Sequence, residues 1–118
     1  MSYFWIALGG ALGAISRYGI QQWITVKNYP WSTFLINILG SFIIGLLAAK
    51  AEQSDFWARE GKWLGMVGFC GGFTTFSSFA LENMQLIRNG NVYLALVYIL
   101  TSSALCIIFA FLGWYLCK

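Results

Sequence analysis

Apolar residues dominate four long segments of the chain, and all charged residues except Arg17 fall outside these segments. The segments cover residues 3–24, 33–49, 63–81 and 92–117. At a rise of about 1.5 Å per residue, the shortest segment reaches about 26 Å, close to the ~30 Å thickness of the hydrocarbon core of a bilayer. The pattern therefore predicts four helices that cross a membrane.

Composition places these helices in lipid. Of the 118 residues, 59% are hydrophobic, 19% are aromatic and 9% are charged, and the mean hydropathy is +0.71. A soluble core of this size cannot bury so much apolar surface. The connections are too short for a soluble domain, so we expect residues 1–118 to form one all-α membrane domain. Tryptophan and tyrosine, which prefer the membrane interface, stand near the segment ends: Trp23, Tyr29, Trp31, Trp57, Trp63, Tyr93, Trp114 and Tyr115.

The first segment is the least apolar of the four. Its second half carries Ser16, Arg17, Gln21 and Gln22, whereas its first half is apolar. A signal peptide requires a basic region before the apolar stretch, and none is present in this sequence. We therefore expect a helix that is retained as the first span.

Few side chains are suited to enzyme chemistry. The sequence has no histidine, no glycine pattern typical of nucleotide binding and no pair of carboxylates inside one span. The cysteines, Cys70, Cys106 and Cys117, are odd in number and lack metal-ligand spacing. We interpret them as small apolar residues within the spans. The protein is expected neither to be an enzyme nor to bind nucleic acid.

The distribution of basic residues predicts the orientation of the chain in the membrane only weakly. For four spans with both termini on one side, the two sides carry similar numbers of Lys and Arg, so the positive-inside rule favours neither strongly. One interpretation is a chain that inserts both ways up and pairs as an antiparallel dimer, and the alternative is a single, weakly biased orientation. The residues counted are Lys50, Arg59, Lys62 and Lys118 on the terminal side, and Lys27, Arg88 and Arg17 on or towards the other.

The third segment contains a stretch that opposes a regular helix. Residues 71–79 read GGFTTFSSF, with two adjacent glycines followed by two β-branched threonines. Each glycine costs a helix about 1 kcal/mol relative to alanine. Unpaired backbone groups in hydrocarbon cost several kcal/mol more unless protein, water or an ion satisfies them. We expect a third helix that is broken at mid-membrane and builds an ion site.

Polar side chains inside the other spans have two interpretations each. Asn37 lies midway along the second span, where its amide either joins two helices by a hydrogen bond or donates to a dehydrated anion. On the fourth span, Tyr98, Ser102 and Cys106 recur every four residues and share one stripe of the helix. That stripe is either an ion path or a surface for helix packing.

Phe76 and Phe79 lie three residues apart, and so nearly on one helix face, directly after the expected break. The edge of an aromatic ring carries positive partial charge, and ring edges that face inward can support an anion without trapping it. The alternative is that both rings pack against lipid.

Three motifs, in order along the chain, resemble the Fluc fluoride channels, also known as CrcB proteins. The first is GGALGAISRY at residues 9–18, the second is TFLINILGSFIIG at residues 33–45, and the third is GGFTTFSSF at residues 71–79. The chain length and all four spans agree with the family. Three departures are Ser78 where threonine is common, Ser32 where glycine often precedes the second motif, and Cys106 where a hydroxyl is expected.

The resemblance implies an antiparallel, dual-topology dimer with two fluoride pores, each lined by both subunits. It also implies a structural sodium ion on the dimer axis, held by the backbone carbonyls of Gly71 and Thr74 from each copy. Arg17 would belong to a water-filled vestibule, or would reach the interface with its long side chain. By the same resemblance, the fluoride path would comprise Asn37, Phe76, Phe79, Ser78, Tyr98 and Ser102.

These expectations combine into passive, selective export of fluoride across the cell membrane of a microbe, with the lipid bilayer and a second, identical or paralogous chain as partners. The alternative is a small four-helix, proton-coupled multidrug or guanidinium exporter, which would depend on a carboxylate in the first helix. The first span has none, and Glu82 lies near the end of the third. A structural or regulatory membrane subunit would require neither the glycine pair nor the phenylalanines.

Overall fold

The computed structural model describes residues 2–24 and 29–118. Three long helices are continuous: α1 (Ser2–Trp23), α2 (Trp31–Ala51) and α6 (Val92–Cys117). A short helix, α3 (Asp55–Ala58), lies in the connection that follows α2. The described ranges contain no strand. The connection between the first two predicted spans, with Lys27, lies partly outside the described residues.

The third predicted span is built from three pieces. It begins with a π-helix, π1 (Lys62–Cys70), which continues directly into one turn of α-helix, α4 (Gly71–Phe73). After an extended step at Thr74 and Thr75, helix α5 (Phe76–Arg88) begins and runs past the predicted end of the span at residue 81. The π-helix was not predicted, because its wider turn leaves no signature in residue type.

Among the described residues, three stretches are long and apolar enough to cross a membrane: Trp31–Ala51, Lys62–Arg88 counted through its interruption, and Val92–Cys117. The chain is therefore an all-α, multi-pass membrane protein. Helix α1 has 22 residues, about 33 Å, but the polar residues of its second half keep it outside this group. Its passage through the membrane stays a prediction.

The two long helices α2 and α6 pack side by side and run parallel to each other. Gly45 of α2 packs against the backbone of Ala110 of α6. Further along both helices, Gln53 donates to the carbonyl of Cys117, with 2.5 Å between the two atoms. Trp114 Nε1 likewise donates to Glu52, at 3.0 Å. Because residue numbers rise together along both helices, α2 and α6 point the same way.

Helix α1 packs in the same parallel manner on π1 and α4, and glycines form the contact. A side-chain carbon at Gly9 would overlap the carbonyl oxygen of Leu64, and one at Gly13 would overlap that of Phe69. A carbon at Gly72 would lie 2.5 Å from the carbonyl oxygen of Gly10. The absence of side chains thus lets the two backbones touch, as small residues do in membrane helix pairs.

Candidate functional site

Thr74 and Thr75 interrupt the third span. Both are extended, with φ and ψ of −85° and 155° at Thr74 and of −149° and 121° at Thr75. Gly71, by contrast, is helical at −62° and −37°. The extended step thus falls at the two threonines of residues 71–79, while Gly72 lies in the helical turn and contacts α1. Beside Gly71 the structure has open space, with no atom of the described residues near enough to contact a side chain there.

Asn37 of α2 binds the backbone of the interruption. The Thr75 amide donates to Asn37 Oδ1 at 3.1 Å, and Asn37 Nδ2 donates to the Thr75 carbonyl at 3.4 Å. An extended residue inside an apolar span needs partners for both backbone groups. Asn37 supplies both, so its side chain joins two segments of the chain by hydrogen bonds. Donation to an anion by the same amide stays a prediction.

The two threonines use their own hydroxyls at the interruption. Thr75 Oγ1 accepts from the Ser78 amide at 3.2 Å and so caps the first turn of α5. The amide and the hydroxyl of Thr74 both donate to the carbonyl of Cys70, at 3.0 and 2.7 Å. Side-chain hydrogen bonds thus hold the backbone of the interruption in place.

Arg17 contacts the same region from α1. Its Nε donates to the Gly72 carbonyl, with 3.1 Å between the two atoms. This bond joins residues 55 positions apart in the sequence and is partly buried. The vestibule role expected for Arg17 is not tested by this contact, which shows instead that the side chain ties α1 to α4.

A groove of about 420 Å³ runs between α2, π1, α4, α5 and α6. It brings together four of the predicted fluoride-path residues and both predicted sodium-binding residues. Phe76 and Phe79 lie at its edge, with ring centroids 5.5 Å apart and planes inclined by 45°. Phe76 is 78% exposed in the single chain, so one side of the groove has no cover. The residues concerned are Asn37, Phe76, Phe79 and Ser102, with Gly71 and Thr74.

Ser102 presents a buried hydroxyl to this groove. The residue is only 4% exposed, and its Oγ has no hydrogen-bond partner among the described residues. Buried hydroxyls are nearly always paired, so an unpaired one on a groove wall is available to a bound species. Cys106, one turn further along α6, also lines the groove.

Tyr98 and Ser78 do not line the groove. Tyr98 is fully buried, and its hydroxyl donates to Glu82 Oε1 at 2.9 Å. The Phe79 ring packs on the Tyr98 ring, with centroids 4.9 Å apart. The resemblance to the Fluc channels implies that the Tyr98 phenol belongs to the fluoride path, and in the structure this phenol binds a carboxylate. Contact of Tyr98 or Ser78 with fluoride stays a prediction.

Thr33 is a third member of this cluster, and the sequence analysis missed its role. Its hydroxyl donates to Glu82 Oε2 at 2.8 Å, and the residue is buried. Each oxygen of the carboxylate therefore accepts one hydroxyl bond, from α2 and from α6. The signal in the sequence was a single acidic residue directly after the third apolar segment.

Comparison with known proteins identifies the family. Residues 4–114 match the model of the family described as CrcB-like protein, Camphor Resistance (CrcB). The chain belongs to the CrcB family. The matched range includes the interruption, the groove and the Thr33, Glu82 and Tyr98 cluster, so all of these lie in the part of the chain that the family shares.

Several relatives of this CrcB family protein carry the name fluoride-specific ion channel FluC. The protein of Magnetococcus marinus is 43% identical over 96% of this chain and 94% of its own length. That of Leptospira interrogans is 44% identical over 96% and 91%. That of Thermus thermophilus is 42% identical over 95% and 90%. The similarity therefore extends over nearly the whole of each protein.

Proposed function

We propose that this CrcB family protein is a fluoride-selective channel through which fluoride leaves the cytoplasm down its electrochemical gradient. The family and the names of its relatives support the ion. The observation that carries the proposal is the groove, which combines the Asn37 amide, the unpaired Ser102 hydroxyl and two phenylalanine rings. The protein catalyses no covalent reaction.

Fluoride loses hydration when it enters such a groove, and donors along the wall offset that cost. An amide and a hydroxyl each supply hydrogen-bond donors, and the ring edges of Phe76 and Phe79 add weaker positive partial charge. None of these groups is a fixed cation, so none holds the anion tightly. Conduction needs binding that is favourable at several places and strong at none.

A second copy of the chain, inserted the other way up, would close the exposed side of the groove. Phe76 and Gly71 both lie on that open side in the single chain. The near balance of basic residues on the two sides suits insertion in both orientations. The dimer would lie in the bilayer of a microbial cell membrane, and its second chain would be identical or a paralogue.

A structural sodium ion would sit where the two copies meet, bound by the backbone carbonyls of Gly71 and Thr74. Carbonyl oxygens are suitable ligands for a hard cation, and two copies supply four of them. The open space beside Gly71 is compatible with a shared ion. The ion would hold the two interruptions together and would not be transported.

Fluoride efflux from liposomes that contain only this purified chain tests the proposal. A potassium ionophore removes the voltage that would otherwise stop the flux, and a fluoride-selective electrode follows the release. We expect fast release of fluoride and little release of chloride. Fluoride release no faster than from protein-free liposomes, with folded protein, would contradict a self-sufficient channel.

The exporter alternative finds no support in the names of the relatives. It would need a free carboxylate in the first helix, and α1 contains no acidic residue. The acidic residue of the third span, Glu82, accepts bonds from two hydroxyls. Proton-coupled uptake of guanidinium by the same liposomes would be required to revive this alternative.

A further inference from the structure

Hydrogen bonds around the interruption decide which backbone carbonyls a cation can reach. In an α-helix, each carbonyl accepts from the amide four residues ahead. The amide that would serve the Gly71 carbonyl is that of Thr75. It donates instead to Asn37 Oδ1, at 3.1 Å. Asn37 therefore takes away the usual donor of the Gly71 carbonyl.

The Thr74 carbonyl has no helical donor either, because Thr74 is extended, with a ψ of 155°. Four residues ahead lies the Ser78 amide, which donates to Thr75 Oγ1 at 3.2 Å. The side chain of Thr75 thus caps α5 and holds this amide away from the Thr74 carbonyl. The side chains of Asn37 and Thr75 thus each accept a hydrogen bond from one amide. These are the amides four residues ahead of the two carbonyls that would bind the proposed sodium ion.

Neighbouring carbonyls are occupied by other groups. The Gly72 carbonyl, between the two, accepts from Arg17 Nε at 3.1 Å. The Cys70 carbonyl accepts both the amide and the hydroxyl of Thr74. Each of these bonds lowers the negative potential at the oxygen that accepts it, so Gly72 and Cys70 are poorer ligands than Gly71 and Thr74.

We propose that Asn37 and Thr75 are positioning residues of a cation site. Each accepts the amide four residues ahead of one ligand carbonyl and so holds the extended step that leaves this carbonyl without a helical donor. Arg17 excludes the Gly72 carbonyl from the ligands. The inference rests on the sodium site of the proposed function and explains how this chain would build it. It gives Asn37 a role that does not depend on contact with fluoride.

Sodium-dependent stability of the purified dimer tests this role without measuring flux. Thermal unfolding in detergent is followed in NaCl and in N-methylglucamine chloride at equal ionic strength. The variants are Thr75→Val, which removes the hydroxyl with little change of shape, and Thr75→Ser, which keeps it. Thr101→Val is the control, because the Thr101 hydroxyl donates within its own helix, to Val97.

We expect Na⁺ to raise the unfolding temperature of the parent, Thr75→Ser and Thr101→Val proteins. In Thr75→Val we expect Na⁺ to leave the unfolding temperature unchanged, or the Na⁺ concentration that gives half of the maximal rise to increase by about tenfold or more. Loss of a residue that supports a metal ligand typically weakens metal binding by this factor. Each variant is compared with itself in two salts, so general destabilisation by loss of the helix cap cancels. Asn37→Ala gives the same result through the Gly71 carbonyl, and serves alone if Thr75→Val does not fold.

Two other outcomes have different meanings. An undiminished Na⁺ shift in Thr75→Val and Asn37→Ala overturns the assignment of these residues while the sodium site stands. Absence of any Na⁺ shift in the parent overturns the sodium site and the assignment together. Fluoride conduction is measured separately in liposomes, so its success or failure is not confused with either outcome.

Discussion

Tyr98 of α6 donates its phenolic hydrogen to Glu82 of α5, with 2.9 Å between the hydroxyl oxygen and Oε1. The Thr33 hydroxyl, from α2, binds the other carboxylate oxygen. Three segments that are distant in the sequence therefore meet at one acidic side chain. Because both hydroxyl residues are buried, water cannot easily replace either bond, and the cluster is expected to stabilise the fold.

Replacing Tyr98 by phenylalanine should destabilise the protein. The change removes one hydrogen bond to a carboxylate and leaves that oxygen without a donor, at a cost of about 1.5–3 kcal/mol in the free energy of unfolding. Tyr93→Phe is the matched control, because Tyr93 is 82% exposed, and we expect it to change stability by about 0.5 kcal/mol or less. Unfolding of both variants is followed in one detergent, and equal stability of the two would contradict the structural role of the cluster.

Gly13→Ala should disturb the packing of α1, whereas Gly19→Ala should not. A side-chain carbon at Gly13 would overlap the carbonyl oxygen of Phe69, while none of the described residues has an atom within contact distance of one at Gly19. Alanine is favoured over glycine in a helix by about 1 kcal/mol, so Gly19→Ala is expected to be neutral or stabilising. The yield of folded protein and its unfolding temperature measure the difference. Similar behaviour of the two variants would mean that the α1 contact with π1 is wrong.

Phe76→Ile should reduce fluoride efflux from liposomes. Isoleucine is also apolar and bulky but has no ring edge to stabilise an anion. If the free-energy barrier to fluoride conduction rises by about 1.4 kcal/mol, conduction slows about tenfold. Phe4→Ile is the control, because Phe4 is also exposed and lies on α1, away from the groove. Unchanged flux in Phe76→Ile would leave the ring-edge assignment without support.

Ser102→Ala should separate conduction from stability. Its hydroxyl is buried and has no hydrogen-bond partner among the residues that the structure describes, so removing it should leave the unfolding temperature unchanged or slightly raised. Fluoride efflux, by contrast, should fall, because the groove loses a donor. Thr101→Val, on a neighbouring face of α6, is expected to change neither quantity. A fall in stability without a fall in flux would indicate that Ser102 serves packing alone.

The apolar pattern predicted the helices well, because lipid imposes a simple rule on residue type. The fourth segment, residues 92–117, coincides with α6 (Val92–Cys117). For α1, the polar residues of its second half lower the mean hydropathy, so its sequence predicts a membrane span less clearly. Residues 71–79 were correctly marked as unusual, but only the backbone reveals that Thr74 and Thr75 are extended while Gly71 remains helical.

Hydrogen bonds between distant segments could not be predicted from residue type. Asn37 and Thr75 are 38 positions apart, and Thr33 and Glu82 are 49 apart. The sequence indicated that Asn37 and Glu82 are polar in an apolar setting, but their partners depend on which helices lie side by side. The π-helix before the interruption was likewise not predicted, and it packs against α1.

The parallel arrangement of the helix pairs has a consequence for biogenesis. Helices α1 and α2, which are made first, contact each other little, while α1 packs mainly on π1 and α2 mainly on α6. Each of these two helices therefore enters the bilayer before its main packing partner has been synthesised. Most of the surface of α2 that packs within the chain is covered only after α6 has been inserted, so the tertiary contacts of α2 form long after α2 itself is made.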